Sequence, residues 1–202
     1  MKKILFLSLS LILSHLNVNL SAQLGIRELS EQEIIDLMVG SSIQATRGND
    51  STRMINRMKE ALKDGKTFKI ISVDDIPDNW IVAVPCGVGG GEMWENVVTR
   101  MKNQNVPPLR DTALRAVRLL GEYIGTDFNA LIRNEPAQST LVALITAAEM
   151  GIPIVDACLS GRARPEVQQQ IPFIQGIQST PVAFVTSWGD RVIIDRAVDD
   201  YR

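Results

Sequence analysis

Two short stretches of this chain concentrate the side chains that could do chemistry. The first is Asp156-Ala157-Cys158-Leu159-Ser160-Gly161-Arg162-Ala163-Arg164-Pro165-Glu166, which sets carboxylates, a thiol and guanidinium groups within a few residues, with Gly161 permitting a sharp bend. Asp156 or Glu166 can serve as general acid or base, Arg162 can hold a carbonyl or carboxylate, and Cys158 can act as a nucleophile. The same charges read equally as an Arg and carboxylate network that fixes a loop. The second stretch is Pro85-Cys86-Gly87-Val88-Gly89-Gly90-Gly91-Glu92. Backbone N–H groups of Gly89, Gly90 and Gly91 can approach a ligand closely at the start of a helix and stabilise developing negative charge. Glu92 stands where a dinucleotide fingerprint requires glycine, and its carboxylate already supplies negative charge there. A phosphate cradle, a tight structural turn and a pocket wall for a small neutral or cyclic ligand all remain open.

The only cysteines, Cys86 and Cys158, each follow an expected strand. They admit a disulfide worth roughly 3 to 4 kcal/mol in the chain-entropy model, two buried inert thiols, or a reactive thiol. A metal site would rest on carboxylates and these thiols, and no metal is expected. No motif commits the chain to a cofactor.

These loops need elements to position them. Ser30 and Glu33 form a capping box, with Leu29 stapling onto Ile34, so a helix starts at residue 31 and is expected to stop at Gly40. A second helix follows Asp50 and ends at Gly65, and Met93, Val97, Val98 and Met101 share a third helical face. Asp111 opens a helix stopped by Gly125, and another runs from about Ser139 to Met150 before Gly151. The apolar runs Phe68 to Val73, Ile81 to Val84, Phe128 to Ile132 and Ile152 to Val155 read as buried strands. Val182 to Val185 and Val192 to Ile194, around Ser187-Trp188-Gly189-Asp190, form a terminal β-hairpin. Strands alternating with amphipathic helices predict an α/β fold, a mainly parallel sheet covered by helices on both faces. Ligands of such sheets collect beyond the carboxyl ends of the strands, where both loops would lie.

Lys2 and Lys3 lead into the apolar run Ile4 to Leu13, followed by Ser21 and Ala22, the order of a signal peptide. Residues 1–22 are therefore expected to be removed, leaving a single domain over 23–202 in a secreted or periplasmic location. The apolar run is short against the ~20 residues that span a bilayer. Cleavage takes two of the 21 basic residues and none of the 23 acidic ones, so the net charge moves from −2 to −4. Nucleic acid and membrane surfaces are poor partners for such a chain. The one histidine, His15, leaves with the peptide, which excludes Ser-His-Asp, Cys-His and histidine-ligated metal chemistry from the mature protein.

Gly151-Ile152-Pro153-Ile154-Val155-Asp156-Ala157, followed by Gly161-Arg162-Ala163-Arg164-Pro165-Glu166-Val167-Gln168, resembles the S-methyl thiohydantoin desulfurase-like family. Gly121-Glu122-Tyr123-Ile124-Gly125 running into Phe128-Asn129-Ala130-Leu131, and Ser72-Val73-Asp74-Asp75-Ile76-Pro77-Asp78, extend the resemblance over about Leu29 to Asp195. The resemblance implies an α/β domain that normally precedes a second domain, with activity on hydantoin or thiohydantoin rings. It admits three partners: a small-molecule ligand, a second copy of the chain, or a separate protein supplying that second domain. The departures fall on loops. Gly40 to Gly48 is less glycine-rich than the family pattern, Asn134-Glu135-Pro136-Ala137-Gln138 replaces a glycine and asparagine stretch, and Cys158 stands where an acidic residue is expected. A non-catalytic binding or interaction module is the competing reading.

Overall fold

The computed structural model describes residues 24–45, 51–88, 92–104, 107–164, 166 and 169–198. The signal-peptide segment lies outside them. Helix α1 (Glu31–Ile43) begins as its capping box dictates: the Ser30 hydroxyl accepts from the Glu33 N–H at 3.3 Å, and Glu33 Oε2 accepts from the Ser30 N–H at 2.8 Å. It runs three residues past the expected stop. Gly40 ends a helix only by turning left-handed, and here the chain stays right-handed until Gln44 while the Ser41 and Ser42 hydroxyls donate back to the Met38 carbonyl. Helix α2 (Ser51–Lys63) follows. Gly125 and Gly151 do turn left-handed, at φ 74° and 73°, and close α4 (Thr112–Ile124) and α5 (Gln138–Met150).

Strands β1 (Arg27–Glu28), β2 (Lys69–Ile71), β3 (Val82–Ala83), β4 (Ala130–Arg133) and β5 (Ile154–Cys158) form one sheet in the order β1-β2-β5-β4-β3. The β2–β5, β5–β4 and β4–β3 pairs are parallel, and β1 adds an antiparallel edge on Ile70 and Lys69. A two-residue strand leaves no periodicity to read, which is why β1 escaped the sequence reading. Helix α3 (Glu92–Asn103) and α4 connect β3 to β4, and α5 connects β4 to β5.

Strand alternation divides the core. Ile70, Leu131 and Ile154 join Ile34 and Met38 of α1, Met54 and Met58 of α2, Val117 of α4, and Leu141 and Leu144 of α5 in the large cluster. Their neighbours Ile71, Ala130 and Val155 face the other way, where Ile26, Ile76 and Trp80 pack on them beside the 3-10 turn Val73–Asp75.

The hairpin forms a separate two-stranded sheet, β6 (Val182–Val185) with β7 (Arg191–Ile194), after the short helix α6 (Ile171–Ile174). It docks on α4: Tyr123 donates to Asp195 at 2.6 Å, and Arg191 pairs with Glu122 at 3.5 Å. No helix among the described residues is long and apolar enough to cross a membrane.

Candidate functional site at the carboxyl rim of the sheet

Parallel pairing sends β3, β4 and β5 out of the sheet on the same side, so the segments after Ala83, Arg133 and Cys158 share one rim. The register between β4 and β5 slips there: Leu131 faces Ile154, but Arg133 faces Cys158. The extra β5 residues bulge outward, and the Arg133 side chain spans them by donating to the Ala157 carbonyl at 3.0 Å.

Just past β4, the buried Asn134 is the hub of a polar cluster. Its Oδ1 accepts from Arg164 Nη2 at 2.7 Å and from Gln170 Nε2 at 2.6 Å. The main-chain N–H of Arg164 donates to Glu135 at 3.0 Å, and the other end of its guanidinium donates to the Glu166 carbonyl. Buried Ser160 donates to the Arg162 carbonyl at 2.9 Å. Arg164 Nε is buried without a hydrogen-bond partner, as is the hydroxyl of Thr140 in the first turn of α5. Ala137, at the entrance to α5, has φ 64° and gives that helix no side-chain cap.

Burial, the charge of Glu135 and the opposing charge of Arg164 act together on Cys86. The first two dominate and push its thiol up from the ordinary value, so it stays neutral. Desolvation lowers Arg164, while Glu135, Cys86 and Cys158 each pull it back up. Arg164 is thus within electrostatic reach of both thiols, and the loops after β3 and β5 meet around it.

The residues singled out from sequence are distributed unevenly around this cluster. Cys158 is half-buried at its edge, its thiol directed to the Ser160 carbonyl. Asp156 is exposed in the bulge, and Arg162 and Glu166 are exposed farther along the loop. Glu92 opens α3, while Gly89, Gly90 and Gly91 lie outside the described residues. Asn134, Glu135, Ser160 and Gln170 were not singled out. The replaced stretch at 134–138 was the available signal for the first two, and nothing local marks a contact between residues thirty apart, as Asn134 and Arg164 are. In this loop the Arg164 guanidinium binds the Asn134 amide oxygen and the Glu166 carbonyl, and its main-chain N–H meets the Glu135 carboxylate.

Both cysteines are free. β4 separates β3 from β5, so their ends lie two strand spacings apart, roughly 10 Å. A bridge between them would need their Cα atoms within ~7 Å. Among the described residues no group of three or more His, Cys, Asp and Glu is placed to hold a metal ion.

A family model described as the S-Me-THD-like N-terminal domain matches residues 32–196. The chain belongs to that family. Among solved structures it is similar to a Chromobacterium violaceum protein, with a TM-score of 0.65 and 19% identity, over 87% of this chain and 46% of that one. That likeness carries the fold, and the chain spans less than half the length of that neighbour. No curated protein matches it.

Proposed function

We propose that this S-Me-THD-like domain binds a small cyclic amide of the hydantoin or thiohydantoin type at the carboxyl rim. The observation that carries the reading is the partnerless Nε–H of Arg164, a buried donor held by Asn134 beside the carboxylate of Glu135. A ring carbonyl or thiocarbonyl would satisfy that donor, and a ring N–H would donate to Glu135, whose carboxylate has lone pairs beyond the one used by Arg164. In a turnover reading, Cys158 sulfur would add to a ring carbonyl carbon held by Arg162, the ring C–N bond would break with Asp156 or Glu166 passing the thiol proton to the leaving nitrogen, and water would hydrolyse the thioester. The exposure of Asp156, Arg162 and Glu166 favours the competing reading, binding without turnover, because water competes for each of them. Export on residues 1–22, to a secreted or periplasmic location, belongs to the same proposal.

The test is thermal unfolding of the mature chain with and without hydantoins and thiohydantoins. A ligand at a hundred times its Kd stabilises the folded state by roughly 2.7 kcal/mol. No shift with any ring compound overturns the ligand class, and mass spectrometry of the incubated ring separates binding from hydrolysis or desulfuration.

A further inference from the structure

Strand β7 and its flanks read Asp190-Arg191-Val192-Ile193-Ile194-Asp195-Arg196. Reversed about Ile193, the stretch is complementary to itself: Asp190 falls opposite Arg196, Arg191 opposite Asp195, and Val192 opposite Ile194. Two copies laid antiparallel in that register match acid to base and apolar to apolar throughout. The four charges sum to zero, against −4 for the mature chain, so the segment adds no net repulsion of its own.

The backbone of β7 is ready for such pairing. β6 holds one side of it, and among the described residues no strand holds the other. The hairpin decides which groups face that open side. The Asp190 carbonyl accepts from the Thr186 N–H at 3.0 Å, so Asp190 points to β6, and alternation turns the N–H and C=O of Arg191 and Ile193 outward, with Asp195 next in the series. Antiparallel pairing bonds outward residues to outward residues. Centring on Ile193 does so, setting Ile193 against its own copy and Arg191 against Asp195. A centre at Val192 or Ile194 instead puts Arg191 opposite Ile193 or Ala197 and loses the charge match.

The side chains agree with the backbone. Arg191 and Asp195 lie on the face toward α4, where Glu122 and Tyr123 reach them. The pair with Glu122 is 3.5 Å long and exposed at both partners, and Tyr123 occupies one oxygen of Asp195, leaving the other for an arginine. On the opposite face Val192 and Ile194 are 49% and 41% exposed. Pairing extends them into apolar rows, Val182-Ile194-Val192-Phe184, read across both copies. α4 lies chiefly against β6, the strand farther from the open edge.

We propose that β7 pairs edge to edge with β7 of a second copy of this chain, antiparallel about a two-fold axis at Ile193, joining two hairpins into one four-stranded sheet. The axis uses every contact twice, so two Arg191 to Asp195 pairs and two Asp190 to Arg196 pairs form together. The pairing is independent of ligand binding at the rim.

Sedimentation equilibrium of the mature chain, from low micromolar to near-millimolar concentration, tests this, and wild type is expected to show a monomer–dimer equilibrium. Arg191→Asp and Asp195→Arg each set like charges opposite one another twice, and each is expected to weaken the dimer roughly tenfold or more. Mixed in equal amounts, the two variants are complementary only to each other, so a heterodimer about as stable as the wild-type dimer is expected. A hairpin merely damaged by substitution gains nothing from mixing, and circular dichroism reports whether each variant is folded. Arg196→Asp, beyond the strand, sets like charge against Asp190 and is expected to weaken the dimer severalfold, which keeps the test open if a reversal inside the hairpin unfolds it. Arg57→Asp, on α2, should leave association unchanged. A chain that stays monomeric throughout leaves the edge to some other partner and overturns the proposal. A dimer indifferent to the reversals, or one that mixing does not restore, overturns it as well.

Discussion

Replacing Asn134 by alanine removes the acceptor on which two elements of the rim converge. Its Oδ1 takes a charge-assisted bond from Arg164 at 2.7 Å and a neutral one from Gln170 at 2.6 Å. Bonds to charged groups contribute about 1.5 to 3 kcal/mol and neutral ones about 0.5 to 1.5. Arg164 is only partly buried, so water recovers some of the loss and the lower ends apply. The expected cost is therefore about 2 to 3 kcal/mol. For a domain of this size that lowers Tm by roughly 5 to 10 °C. In urea the midpoint should fall with the slope unchanged, because the surface exposed on unfolding stays the same. Asn134→Asp keeps the acceptor and adds charge facing the guanidinium, so it should stay within about 1 kcal/mol of wild type at neutral pH. Combining Asn134→Ala with Gln170→Ala should show a coupling of about 0.5 to 1.5 kcal/mol, since both singles remove the same bond. An alanine variant within about 0.5 kcal/mol of wild type, or an aspartate variant as unstable as alanine, would refute the reasoning that this hub holds the loop.

Thr140→Val should be neutral or stabilising by about 1 kcal/mol in thermal unfolding, because it replaces a fully buried hydroxyl without a partner by a methyl group of the same shape. Glu33 is lowered to about 2, first by the hydrogen bond from the Ser30 backbone N–H, then by the Ser30 hydroxyl and Arg27. Its contribution is present above the usual value of 4.5 and is lost as pH falls from there toward 2, so Glu33→Gln should flatten the stability profile in that window. Titration of the unfolded, unreduced protein should find two thiols, as both cysteines are free. In the folded protein, alkylation of Cys86 should keep accelerating above the pH at which an ordinary thiol levels off.

The elements that were legible in sequence owe their shape to neighbours along the chain. The Ser30 and Glu33 box, the left-handed Gly125 and Gly151, and the Thr186-to-Asp190 turn closed by a 3.0 Å backbone bond are local devices, each specified within a few residues. Gly40 shows the limit of that logic, since glycine permits a left-handed stop without requiring one. The polar hub lay beyond it altogether. Asn134, Arg164 and Gln170 come together only because β4 and β5 are paired and a bulge turns the loop back across them. The convergence of the Cys86 and Asp156 loops followed from parallel topology, whereas the exposure of Asp156 and Arg162 depended on bulge and loop geometry that no residue pattern encodes.

That division bears on how the rim would work. A binding loop must be rigid before the ligand arrives, or the cost of ordering it is subtracted from affinity. In this chain the rigidity comes from Asn134, Glu135 and Ser160, which tie down the β5 loop through Arg164 N–H, its guanidinium and the Arg162 carbonyl. Arg164 then spends most of its donors on the protein and leaves Nε. A single buried donor can orient a ring, while transfer of a proton needs a second group aimed at the same atom. Asp156 and Glu166 sit in water at the edge of the cluster, so ligand binding itself would have to draw one of them inward for the rim to catalyse.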